Sequence, residues 1–181
     1  MNRYKYRDGL ESERLKTRFL QLADVDVWEE FYTREENSKY LLNLGGSTPK
    51  ENARLAVERQ LKRYKQKTYG LQALIEKSSG QLIGQCGVLS QDVNGRLELE
   101  VGYQLFNNYW GMGYATEAAQ LFRDYGFKEL SAESIISIID VENLPSQRVA
   151  ERNGMKCAEQ IKYMGFDVFV YRITKPEWEK L

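Results

Sequence analysis

The chain has 181 residues, 42% hydrophobic and 29% charged, the profile of a single folded domain over 1–181 and far from the disordered classes. With no histidine and only two cysteines, Cys86 and Cys157, it excludes Ser-His and Cys-His nucleophilic machinery, His-rich or four-Cys metal sites and a disulfide framework, so both thiols are expected as buried small hydrophobes in a reducing, cytoplasmic compartment. The 26 basic residues balance 26 acidic ones, no apolar run approaches a membrane span and residues 1–14 are polar, so neither a general nucleic-acid binder nor a membrane protein is expected.

Arg14 to Leu22 alternates around Leu15, Thr17 and Phe19 as a first strand, and Ala23 to Tyr40 carries Val27, Phe31 and Tyr32 at helical spacing. Thr48-Pro49-Lys50-Glu51 is a capping box with proline at the first helical position, opening a helix whose apolar stripe is Ala53, Val57, Leu61 and Tyr64. An antiparallel meander follows: Tyr69 to Lys77, Gln81 to Ser90 and Leu97 to Phe106. Asn94-Gly95 suits its two-residue turn, because both central positions of a type I′ turn need positive φ. After a glycine-bearing turn at Trp110 to Gly113, Ala115 to Leu130 reads as a helix with Ala118, Leu121, Phe122 and Tyr125 along one side. The run Ile135, Ile136, Ile138, Ile139 is that of a central strand covered on both faces. Pro145 to Asn153 is a short helix ending at Gly154, a left-handed cap position, and Lys156 to Lys162 with Phe166 to Thr174 form a terminal hairpin.

Two segments carry chemistry. From Glu98 to Ala118 a strand passes through a glycine-bearing turn into a helix, so the free N–H groups of Gly111, Met112, Gly113, Tyr114 and Ala115 can converge on an anion, with the helix dipole adding positive charge. A tight turn alone would explain the glycines equally well. A nucleotide P-loop is excluded by the lack of Gly-Lys-Ser/Thr, and a dinucleotide fingerprint by Thr116 at the third glycine position. From Ile138 to Met155 a buried strand ends near Asn143 and a helix begins, which puts Asn143 and Ser146 where open sheets bind ligands. For Ser146, helix capping is the plainer explanation.

Glu100-Val-Gly-Tyr, Tyr109-Trp-Gly-Met-Gly-Tyr-Ala-Thr-Glu-Ala and Val141-Glu-Asn-Leu-Pro-Ser-Gln-Arg-Val-Ala-Glu-Arg-Asn-Gly resemble the GNAT superfamily of acyl-CoA-dependent N-acetyltransferases. Arg14-Leu15 with Arg18 resembles the opening strand of its ribosomal-protein N-terminal acetyltransferase branch. The resemblance implies an α/β fold: a mostly antiparallel sheet of about seven strands, splayed between the fourth and fifth and flanked by about four helices. It also implies acetyl-CoA as cofactor, with its pyrophosphate on the Gly111 to Ala115 amides and its pantetheine arm in the splay. Leu105, Trp110, Thr116, Asn143 and Ser146 complete the implied cofactor set, together with the Met112, Gly113 and Tyr114 positions of the turn. The implied acceptor is a primary amine, a ribosomal or other protein N-terminus or a small amine, and the chain is expected as monomer or homodimer. Three positions depart from the family pattern: Asn108 stands where Gln or Arg is preferred, Ala150 where many relatives place a tyrosine acid, and Met155 where an aromatic is usual.

Amide formation from a thioester needs a neutral amine, oxyanion stabilisation and a proton for the thiolate. Glu98 and Glu100 share one strand face; Glu100 is the preferred base, against the alternatives that Glu98 or water serves or that both are a solvated face. Ser146 is the candidate proton donor, with water as its rival. The basic run Lys62, Arg63, Lys65, Lys67 is a solvated face or an attractor for an acidic acceptor. Trp28, Phe31, Tyr32, Tyr40 and Tyr69 are core or acceptor-cleft aromatics. A catalytically silent acyl-CoA-binding module stays open as the rival to an enzyme.

Overall fold

A computed structural model describes residues 5–181, so residues 1–4 of the polar opening stretch lie outside the described residues. The strands are β1 (Leu15–Arg18), β2 (Tyr69–Glu76), β3 (Leu82–Val93), β4 (Arg96–Leu105), β5 (Ser134–Asp140), β6 (Lys156–Tyr163) and β7 (Phe166–Thr174). The helices are α1 (Val25–Tyr32), α2 (Glu35–Ser38), α3 (Pro49–Gln66), α4 (Tyr114–Lys128), α5 (Leu144–Arg152) and α6 (Lys175–Trp178). They build one mixed sheet in the order β1-β2-β3-β4-β5-β7-β6, antiparallel throughout except for the parallel pair β4 and β5. Among the described residues, no helix is long and apolar enough to cross a membrane.

Local signals act where they were legible. Asn94 and Gly95 have φ of 52° and 78° and close the β3–β4 hairpin, whose ladder runs from Gly84↔Leu105 to Val93↔Arg96. Thr48 Oγ1 accepts from Glu51 N at 3.2 Å while the Glu51 carboxylate accepts from Thr48 N at 3.1 Å, satisfying two donors that a helix start otherwise leaves without partners. Thr48→Ala is therefore expected to cost about 1 kcal/mol, read as a fall of roughly 2–4 °C in melting temperature, with Thr48→Ser keeping most of the stability. An unchanged melting temperature would show that α3 is held by packing alone.

Three expectations are corrected. The first strand is only four residues long, because the chain leaves the sheet for a short 3-10 turn at Leu22–Asp24. The helix expected over Ala23 to Tyr40 is broken into α1 and α2: Thr33 Oγ1 caps Glu30 O at 2.6 Å, and buried Asn37 donates to Phe31 O at 3.1 Å while accepting from Asn107 N at 3.1 Å. Cys86 is buried, but Cys157 is exposed, since β6 is an edge strand and a bulge between Cys157 and Glu159 turns the backbone there.

The core sits on both faces of the sheet. On one, α4 lays Ala118, Phe122 and Tyr125 against Val88, Val101, Ile135 and Ile139. On the other, Trp28 and Phe31 of α1 pack with Ala53 and Val57 of α3 against Ala73 and Phe106, while Ile136 and Val170 form a smaller cluster with Ile138 beside it. The isoleucines of β5 thus divide between two faces, as a central strand requires.

Between β4 and β5 the ladder is reduced to a single residue pair, Glu100↔Ile136. Beyond it the strands part. The join is reinforced by side chains: Ser137 Oγ donates to Val101 O at 2.8 Å, and Ile138 N donates to Glu100 Oε1 at 3.2 Å.

Candidate active site

The turn after β4 leads directly into α4. Its N-cap, Gly113, has φ 83°, and Gly111 has φ 73°, the left-handed region where side chains are costly. Among the described residues, the backbone N–H groups of residues 111–116 donate to no acceptor, and a Cβ at Gly111 would meet nothing within 4 Å. The amides therefore face open space at a helix start. Arg14 braces this turn from below: its guanidinium donates to Met112 O at 2.9 Å and to Glu117 Oε2 at 2.7 Å and lies 4.3 Å over the Tyr114 ring. Burial raises the Glu117 carboxyl, but donors from Ser12, Arg14 N and the Arg14 guanidinium outweigh it and hold the group below the ordinary carboxylate value.

A groove of about 1370 Å³ runs from this turn past Leu105, Trp110 and α5. Arg148 and Arg152 stand on its wall, so an elongated ligand carrying phosphates meets open amides at one place and cations at another. These are the properties acetyl-CoA requires, and the residues present fit it.

On the other side of the parted strands lies a smaller cavity of about 260 Å³. Glu100, only 8% exposed, lines it. Burial holds the Glu100 carboxyl above its ordinary value, against the opposing effect of hydrogen bonds from Gln91 Nε2 at 2.6 Å and Ile138 N. A carboxylate shifted in this direction is a better base near neutral pH. Tyr40, Leu41, Tyr103, Gln104, Asn143 and Ser146 line both the groove and the cavity, so the two spaces meet in the gap between β4 and β5. Burial keeps the Tyr103 hydroxyl protonated far above neutral pH, and it donates to Ser146 O at 3.2 Å. Asn143 Oδ1 accepts from Ser146 N at 3.2 Å as the cap of α5, and the Ser146 side chain stands half-buried where groove and cavity join.

Of the residues singled out from the sequence, Leu105, Trp110, Gly111, Gly113, Tyr114, Ala115, Thr116, Asn143 and Ser146 share the groove. Met112 contributes only backbone, its side chain being exposed and outside that lining. Glu100 and Ser146 border the same cavity, whereas Glu98 is held by Arg172 at 2.9 and 3.0 Å and lies outside it. Tyr32 and Tyr40 line the cavity, while Trp28 and Phe31 are core; Tyr69 packs edge-on to Tyr6 at 5.3 Å between ring centroids. Lys62, Lys65 and Lys67 are exposed, and Arg63 alone of that run reaches the cavity, joined by Arg59. Sequence reasoning missed Arg14, Arg59 and Tyr103 as site residues. The Arg59/Arg63 spacing was the one available signal, since residues four apart share a helix face.

Comparison with known proteins agrees with this geometry. Residues 14–156 match the model of an acetyltransferase (GNAT) domain. The chain is 32% identical over 187 residues to an uncharacterized N-acetyltransferase, p20, from Bacillus licheniformis, covering 94% of this chain and 98% of that protein. It is 37% identical over 108 residues to an uncharacterized Bacillus subtilis protein, YkkB, covering 59% of this chain but only 63% of that relative's length, less than two thirds. The fold is shared with the ribosomal-protein-S5-alanine acetyltransferase of Vibrio fischeri at a TM-score of 0.70, with 18% identity and coverage of 93% and 97% of the two chains. With the splayed sheet, the open amides and the family match in agreement, the chain belongs to the GNAT acetyltransferase family and is an acetyl-CoA-dependent acetyltransferase.

Proposed function

We propose that the acceptor is a primary amine, a protein N-terminal α-amine or a small amine, and that it enters the 260 Å³ cavity while acetyl-CoA lies in the groove. The observation that carries this reading is the meeting of the two spaces at the β4–β5 gap, with Glu100 buried at its closed end. A protein N-terminus is supported by the resemblance of Arg14-Leu15 and Arg18 to the ribosomal-protein branch and by the fold shared with the Vibrio fischeri enzyme. A cytoplasmic setting is supported by two thiols that form no disulfide.

When bound, acetyl-CoA supplies the acetyl group as an activated thioester. The amides of residues 111–116 would hold its anionic part, and Leu105, Trp110, Asn143 and Ser146, which line the same groove, would border the rest. Glu100 takes the proton of the arriving ammonium at a carboxylate oxygen. An α-amine titrates near ~7.7–8.0 and a lysine near ~10.4, so an α-amine asks far less of this base. Ser146 holds a hydroxyl proton where groove and cavity join, for the sulfur that leaves.

The test is coenzyme A release against a panel of amines and short peptides. Turnover on any amine supports the enzyme; cofactor binding without turnover on all of them would leave a silent binding module. Ser146→Ala is expected to lower the turnover number more than it raises the cofactor dissociation constant. Equal losses would make Ser146 a binding residue, and no loss would leave it a lining residue only, since the cap of α5 is Asn143.

A further inference from the structure

We infer that Arg59 and Arg63 on α3 form a receptor for a carboxylate on the acceptor, so that the acetylated amine belongs to a molecule that also carries an acid group. The inference rests on the reading of the 260 Å³ cavity as the acceptor site. Both arginines line that cavity, opposite Glu100 on β4, one turn apart on the same helix face. Among the described residues, neither guanidinium forms an ion pair within 4.0 Å, although thirteen other pairs do. The neighbouring carboxylate on α3, Glu58, belongs to Arg54 at 3.9 Å.

Arg63 is half-buried beside the exposed Arg59; burial and the like charge of Arg59 act against its cation, and together they outweigh the favourable charge of Glu100. Two like charges one turn apart destabilise a helix, and burying a planar five-donor fork without an acceptor adds to the cost. The carboxylates already on the cavity relieve it only in part: the charge of Glu100 acts on both arginines, but it forms no ion pair with either within 4.0 Å among the described residues. Glu100 spends one oxygen on Gln91 and the other on Ile138 N, and Asp140 accepts from Glu142 N at 2.9 Å in its own turn. A carboxylate from outside would supply the acceptor that the Arg63 fork lacks, with Arg59 adding a second positive charge on the same cavity. At about 260 Å³ the cavity is smaller than the ~300–1000 Å³ of pockets for drug-sized ligands, which suits an amine and an acid group a few bonds apart. Such a molecule is a free amino acid, or the first residues of a peptide with an acidic side chain.

The experiment measures coenzyme A release with two matched acceptor pairs: γ-aminobutyrate against 4-aminobutanamide, and a short peptide beginning Ser-Glu against the same peptide beginning Ser-Gln. In the wild type, KM for the acid member of one pair is expected to be ~10–100-fold lower than for its amide. The pair that shows the preference identifies the source of the carboxylate. In Arg63→Gln and Arg59→Gln the acid-to-amide ratio collapses towards one, Arg63→Lys restores part of it, and exposed Lys65→Gln retains it. Lack of preference in both wild-type pairs, or preference surviving in Arg63→Gln and Arg59→Gln, overturns the inference while leaving acetyl transfer intact. If no amine turns over at all, the acceptor reading fails separately, and calorimetry of the same acids and amides on the protein with coenzyme A decides. Acid-selective binding that is lost in Arg59→Gln sustains the receptor, and binding without selectivity overturns it.

Discussion

Replacing Glu100 by glutamine is expected to lower kcat at pH 7 by ~10²–10⁴, the contribution of a positioned general base, with the cofactor dissociation constant unchanged. The loss shrinks as pH rises, because more of the amine arrives already neutral. Near neutral pH the variant escapes the cost of a buried charge but loses one of the two hydrogen bonds that the carboxylate accepts, from Gln91 Nε2 or Ile138 N, because an amide nitrogen cannot accept. Burial raises the Glu100 pKa in the folded state, so between the unfolded and folded values the native protein binds more protons than the unfolded chain. Stability therefore falls with rising pH across that window, and a neutral glutamine escapes the fall. Lower activity with the cofactor dissociation constant unchanged separates chemistry from folding. Glu98→Gln, which breaks the pair with Arg172, should show the opposite pattern, a loss of stability with kcat retained. If Glu98→Gln is the inactive variant, the base is misassigned; if both keep full activity across the pH range, water or another carboxylate takes the proton.

Gly113→Leu is expected to abolish the rise in melting temperature that acetyl-CoA produces. Ligand at a hundred times its dissociation constant stabilises by ~2.7 kcal/mol, a shift that is simple to read. Leucine here meets two obstacles: φ is 83°, and its Cβ would lie 3.3 Å from Arg14 Nη2, the guanidinium that braces the turn. Relief of either turns the amides of residues 111–116 away from their common target. Gly80→Leu is the matched control, with φ 70° and no atom within 4 Å of a Cβ, in the turn between β2 and β3. It carries a similar ~1–2 kcal/mol backbone strain and should keep the full cofactor shift. An undiminished shift in Gly113→Leu would place the cofactor elsewhere.

What was legible in the sequence was local or repeated. Thr48 to Glu51 and Asn94-Gly95 act within four residues, so their helix start and hairpin can be read directly. The isoleucines of β5 announce a central strand because two apolar faces require two kinds of position. The break after Tyr32 was not legible, since it depends on Asn37 meeting Asn107, seventy residues away. Nor was the exposure of Cys157, which follows from β6 lying at the sheet edge, a property of strand order and not of composition. In the site, the glycine turn pointed on physical grounds to amides open to an anion, with a plain tight turn as the equal alternative, while the cofactor and the sheet's splay came from the resemblance. Arg14 was legible as part of an opening strand but not as the brace of this turn, because its partners, Met112 and Glu117, lie about a hundred residues on.

The single pair joining β4 and β5 makes the sheet a lever with Glu100 at the fulcrum. A tilt of one half-sheet against the other hardly moves a residue on the pivot, whereas Leu105, five positions along the strand, is roughly 16 Å out at ~3.3 Å per residue and travels about 1.4 Å for a tilt of ~5°. The gap is therefore open where a long ligand must lie, while the carboxylate sits where the strands still pair and is held there by its two hydrogen bonds. Access and alignment, which compete in a rigid cleft, are assigned here to opposite ends of the same strand.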